Sequence, residues 1–205
     1  SADQLKRQLI QNVTLTAADL SQVPALVPQL NALAYSLQNV DQRAIAQART
    51  YSQSFTSIFG RDVPPSYIDL GHFAQQLAQA TGDSTISQAA SQLMAAIDEV
   101  VIAEMHGPKV PGANGGSIYF PNSQLYRSAN AGPQSYNVAA SRFAGASLWD
   151  DFLSFHYTGQ TFTQATGSIA LPPRAEDVES PAAGGLLATP IQLSADSVAP
   201  GESIL

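Results

Sequence analysis

The chain has 205 residues, of which 44% are hydrophobic and 12% charged, and a formal net charge of −7. Nine scattered Lys and Arg residues give no basic groove for a phosphate backbone, which excludes a nucleic-acid partner. The lack of any cysteine excludes disulfides, thiolate zinc sites and a cysteine nucleophile within this chain, and no run of about eighteen apolar residues offers a membrane span.

In chain order, Ser1-Ala2-Asp3-Gln4 predicts an N-cap leading into a helix with Leu5, Leu9 and Ile10 on one face. The alternation in Asn12–Thr16 predicts a short strand, and Ala17–Ser21 a turn into a second helix. Leu26, Leu30, Leu33 and Leu37 recur at helical spacing, with Pro24 and Pro28 near the start, where Pro28 should bend the first turn. Asp41 should cap a third helix whose stripe is Ala44, Ile45, Ala48, Tyr51, Phe55 and Ile58, ended by Gly60.

After a proline-stiffened loop, Tyr67-Ile68-Asp69-Leu70 is read as the start of a fourth helix carrying Phe73, Leu77 and Ala80 and stopped by Gly82. Asp83 or Ser84 caps a fifth, running through Ile86, Ala90, Leu93, Met94, Ile97 and Val101. Its distal part, Val100–Met105, fits a helix or a strand equally by periodicity. Gly107–Gly116 is a flexible loop and Ser117–Phe120 a buried strand, closed by Pro121. The second half of Tyr136–Tyr157 is read as helical, with Phe143, Leu148, Phe152 and Phe155 inward.

Three histidines invite a search for chemistry. His72 follows Asp69 by three residues, on one helix face; this is read as a solvated or helix-start pair. His106 shares a face with Glu104 only if the segment is a strand. His156, with Asp150 and Asp151 before it, is explained by the helix dipole, which favours a cation at the C-terminus and anions at the N-terminus. Asn12-Val13-Thr14 fits a glycosylation sequon and is read as chance. No Gly-x-Ser-x-Gly elbow, phosphate loop or His-Glu-x-x-His occurs. No catalytic, cofactor-binding or metal-binding residue is assigned, no cofactor is expected, and Tyr119 and Phe120 are read as core.

Four phrases in order carry a resemblance: Thr14–Ser21 before a Leu-rich helix, Tyr67–Ala74, Gly115–Pro121, and Leu148–Leu153 with the only tryptophan. Together they resemble the clostripain family of cysteine peptidases, whose phrases run roughly "leu-ser-ala-ile-asp-leu", "tyr-val-asp-leu-tyr-asp-phe-ala", "gly-leu-ser-ile-tyr-phe-pro" and "trp-asp-x-phe-leu". The chain departs at Gly116, where the family has an apolar residue, and at Gly71-His72, where it has tyrosine and aspartate. The resemblance implies an α/β, helix-rich chain that is the C-terminal part of a caspase-like sheet with flanking helices. The family's catalytic His and Cys, and its selector for basic side chains, lie upstream of all four phrases.

What the resemblance implies is therefore the post-catalytic part of a peptidase cleaving after Arg or Lys. Its partners would be an N-terminal catalytic segment or companion chain, a peptide substrate through that segment, and a homo- or hetero-oligomer. A non-catalytic scaffold on the same fold is the alternative. The expected organisation is a first region over 1–158, a linker over 159–189 rich in Pro, Gly, Ala and Thr, and a third region over 190–205. There Pro190–Ser194 and Val198–Leu205 resemble the opening strands of a bacterial immunoglobulin-like β-sandwich. A surface dressed in Gln, Ser, Asn and Thr fits a secreted or cell-surface protein, and the Ser1 start a processed or truncated piece. A caspase-like sheet cut here should expose an edge at 117–120, so residues 1–157 alone are expected not to form a stable monomer.

Overall fold

Aromatic and β-branched residues at Tyr67–Asp69 and Ser117–Tyr119 build the strand pair around which the helices gather. The computed structural model describes residues 10–55, 63–160 and Phe162, all within the unit Ser1–Ala170. The elements are β1 (Thr14–Ala18), α1 (Val23–Ser36), α2 (Gln42–Tyr51), β2 (Tyr67–Asp69), α3 (Leu70–Thr81), α4 (Ser84–Val100), β3 (Val101–His106), β4 (Ser117–Tyr119), α5 (Ser123–Tyr126), α6 (Pro133–Ala139), α7 (Ser141–Ala144) and α8 (Trp149–Thr158). The chain is thus mixed α/β and rich in helix. The expected first helix before Ile10, the linker beyond Phe162 and the immunoglobulin-like strands lie outside the described residues.

Two antiparallel pairs form. β1 pairs with β3, Leu15 opposite Met105 and Thr16 opposite Glu104, with an irregularity between Ala17 and Ala18. β2 pairs with β4, Ile68 opposite Ile118, and Ser54 bridges to Ile68 on the other side of β2. The open reading of Val100–Met105 resolves as a strand from Val101 on, with Val100 the last residue of α4, because β1 supplies a ladder that satisfies its backbone.

Several expected boundaries move. Tyr67–Asp69 is a strand rather than the start of a helix, and Asp69 caps the helix that follows by accepting from the His72 backbone N–H at 2.8 Å. The third helix ends at Tyr51, not Gly60. Ser52 there donates its hydroxyl to the Ala48 carbonyl at 2.7 Å, and the next residues bond to β2 instead (Phe55 N to Tyr67 O, 3.1 Å). Tyr51 and Ala80 face solvent. The expected turn at Ala17–Ser21 starts two residues late, since β1 runs to Ala18 and α1 begins at Val23. The segment 136–157 is three helices, with Phe143 and Phe155 only half-buried.

Helix faces read from spacing pack as a layer, with α4 against α1 and α3, and α2 against α3. Ile86, Ala90, Leu93, Ile97 and Val100 form the buried stripe of α4, capped by Asp83 accepting from Thr85 and Ile86 N–H. At the centre lie Phe73, Phe120, Trp149 and Phe152, all fully buried. Their rings meet mostly edge to face, Phe73–Phe120 at 5.4 Å and Phe120–Trp149 at 5.7 Å between centroids. The Trp149 indole N–H donates to Tyr119 O at 2.7 Å, pinning α8 to β4. Asn31 of α1 holds the approach to α8, donating to Ala146 O (3.3 Å) and accepting from Leu148 N (2.8 Å).

Candidate functional site

Asp69, at the end of β2, is fully buried and gathers the polar residues of the strand ends. Its Oδ1 accepts from His72 N (2.8 Å) and Asn114 Nδ2 (3.1 Å), and its Oδ2 from Asn114 N (2.7 Å). One carboxylate therefore caps α3 and anchors the loop 107–116. Sequence reading paired Asp69 with the His72 ring, but the ring turns elsewhere. Its Nδ1 accepts from Gln53 N at 3.0 Å, and Nε2 meets the Gln76 amide at 3.0 Å. The Gln76 atom facing Nε2 is the amide nitrogen, and which of the two donates depends on the ring's tautomer. Gly112 makes this packing possible, since a Cβ on it would fall 2.0 Å from His72 Nδ1. Gly71 likewise leaves room for Asn114, whose Cβ would lie 3.3 Å from a Cβ at position 71.

Beyond this hub lies a cleft of about 160 Å³, lined by Thr14, Thr16, Glu104, Phe55, Ala113 and Gly115–Ser117. His106 and Glu104 stand beside it on β3, with the imidazole Nδ1 3.0 Å from the carboxylate, on the shared face that the strand geometry predicts. Both are about one-third exposed.

His156 is not the dipole-stabilised cation that its helix position predicts. Burial, with the Arg49 charge adding to it, pushes its pKa down to about 4. Nδ1 donates to Gln42 Oε1 at 2.7 Å, and the Gln42 amide is oriented by its own donations to Leu37 O and Val40 O. Arg49 reaches in from α2, donating to Phe120 O (2.9 Å) and Pro65 O (3.0 Å) with its guanidinium 5.7 Å from the Phe120 ring centre. Burial lowers its pKa as well. The Tyr157 hydroxyl donates to Pro121 O.

Asp150 lies apart from His156, because six residues of helix separate them by about 240°. Its Oδ2 accepts from Asn137 Nδ2 at 3.3 Å while Oδ1 is buried without a hydrogen-bond partner. Burial first, then neighbouring Asp151, pushes its pKa up to about 6. The nearby Tyr136 stacks on Tyr119 at 4.9 Å. Burial pushes Tyr119 up to about 12, and its hydroxyl donates to Ala131 O.

The structure thus brings Asp69, His72 and Asn114 together through backbone and amide groups, joins His106 to Glu104, and separates His156 from Asp150. Among the described residues no group of three His, Asp or Glu side chains could hold a metal ion, and none of their helices is long and apolar enough to cross a membrane. Sequence reading missed Arg49, Asn114, Gln42 and Asn31. Each acts across 45 to 117 residues of separation, which no local pattern signals. No protein-family model, curated protein or solved structure matched the chain.

Proposed function

We propose that this chain is the supporting, post-catalytic part of a secreted, clostripain-like cysteine endopeptidase that cleaves after basic residues. The observation that carries the reading is the convergence of three of its four family-like phrases. Tyr67–Asp69 pairs with Ser117–Tyr119, Asp69 caps the helix of the second phrase, and Trp149 of the fourth donates to Tyr119 of the third. Segments about fifty and thirty residues apart in sequence share one unit of structure, as parts of one inherited motif would.

On this reading the chain holds the strand ends and the loop 107–116, through Asp69, beside a substrate cleft. The nucleophile, a thiolate activated by histidine, comes from a segment outside the chain, since no cysteine is present. Recovering the complete gene, or the intact mass of the native assembly, tests it. A His and a Cys encoded upstream of Ser1, or carried by a tightly bound companion, are expected; finding neither would overturn it.

A second reading, a non-catalytic surface scaffold, is favoured by one observation. Each histidine already holds a partner: His72 with Gln53, His106 with Glu104, and His156 with Gln42. The same gene decides between the two.

A further inference from the structure

The β1–β3 ribbon has two outer edges, and they differ in chemistry. Val13 O accepts from Gly107 N at 2.8 Å, so Val13, Leu15 and Ala17 turn their backbone groups toward β3. By the alternation of an antiparallel ladder, Thr14, Thr16 and Ala18 turn theirs outward. Among the described residues none pairs with them, and all of Thr14–Ala18 is exposed. The β3 edge is guarded by the Glu104 carboxylate, with His106 against it, and by the ladder irregularity opposite Ala17. Charges and bulges of that kind stop a second strand from adding. The β1 edge has no such guard: Val13–Ala18 contains no charge, no proline and no glycine.

We propose that β1 pairs edge to edge with β1 of a second copy of this chain, antiparallel about a two-fold axis at Thr16. Full overlap sets Thr14 opposite Ala18 and Thr16 opposite its own counterpart, with both backbone groups of each outward residue used. Charge decides the occupant. The chain carries −7, yet an uncharged strand meets its own copy with no like-charge contact, and a charged partner strand finds nothing there to recognise. Pairing of a surface with itself is also what a two-fold dimer requires. On the outer face, the large exposed Leu15 lies across from the small Ala17 of the other copy, and with Met105 (69% and 71% exposed) extends one apolar surface over four strands. This inference does not rest on the peptidase reading.

The test is the mass of the full 205-residue chain by light scattering over roughly 1–100 µM, where a dimer's population follows concentration. The expected result is twice the chain mass of 21.5 kDa at the upper end. Thr16→Pro removes an outward N–H and leaves the β3 ladder whole, and should weaken association about tenfold. Leu15→Ser alters only the outer face and should weaken it by less than about threefold. Because the chain has no cysteine, Thr16→Cys gives a reading independent of those variants. A hydrogen-bonded antiparallel pair sits about 5.5 Å apart at Cα, within disulfide reach. Oxidation should link it into a covalent dimer, and Ser91→Cys, on the exposed side of α4, should stay unlinked. A chain that is monomeric throughout would hand the edge to some other polypeptide and overturn the proposal. So would a dimer that Leu15→Ser dissociates more than Thr16→Pro, or Thr16→Cys linking no faster than Ser91→Cys.

Discussion

Asp69 shows how much one residue can hold. A buried carboxylate that accepts three hydrogen bonds leaves three donors unsatisfied when it is removed, each with a desolvation cost. Asp69→Ala should therefore destabilise the fold by about 3 kcal/mol or more, and Asp69→Asn by less, since an amide oxygen still caps α3. Urea unfolding followed by circular dichroism measures both; equal losses would show that capping contributes little.

Two residues of α8 give the chain opposed pH responses. His156 has a folded pKa of about 4, below the 6.5 of an unperturbed ring. Its contribution to stability is present above pH 6.5 and is lost as pH falls toward 4, on the order of 2 kcal/mol after solvent screening. Asp150 has a folded pKa of about 6 against 3.8. Its contribution is full below pH 3.8 and lost as pH rises through 6, roughly 1 kcal/mol once its partial exposure is discounted. Between pH 4 and 6.5 the two partly cancel. Asp150→Asn should steepen the loss of thermal stability on acidification, and His156→Gln should turn it into a gain. Parallel pH profiles of melting temperature for both variants would contradict these assignments.

At the scale of elements, what could be read in the sequence was what local chemistry decides. Asp41 and Asp83 cap their helices, and Gly82 ends its helix with positive φ. The stripe Phe73 and Leu77, and that of α4, are buried as their spacing requires. The strand at Tyr67–Asp69 was not legible, because three residues carry no periodicity and only β4, about fifty residues later, makes them a strand. The site was less legible still. The Asp69–His72 spacing suggested a side-chain pair, but loop 107–116 arrives to claim the carboxylate through Asn114. Loop packing makes its own prediction: Gly112→Ala, whose Cβ would collide with the His72 ring, should cost about 1–3 kcal/mol. Gly116→Ala, with nothing within 4 Å of its Cβ, should stay within about 0.5 kcal/mol. Thermal melts of the pair test this, and equal effects would refute it.

Over the whole molecule, the two strand pairs differ in how far they are covered. Among the described residues β4, like β1, has a ladder partner on one side only; the side chains of Ile118, Tyr119 and Phe120 are buried against α8 and α3, whereas β1 is exposed along its length. The strand carrying the Tyr-Phe-Pro phrase is core, as its apolar run requires, and the β1–β3 ribbon beside the cleft is exposed surface. Trp149 joins the two strand-derived phrases through one indole. Trp149→Ala should cost about 3–5 kcal/mol and uncouple α8 from β4, seen as early hydrogen exchange in α8 relative to α4.

The reading of the chain as the support of a cysteine peptidase is tested most directly by activity of the complete gene product. Arg- and Lys-reporter peptides would be incubated with it, with and without a thiol alkylator, beside the 205-residue chain alone. The account predicts cleavage after Arg or Lys that alkylation abolishes, and none from the isolated chain. No cleavage by the complete product, or cleavage indifferent to the alkylator, would contradict it.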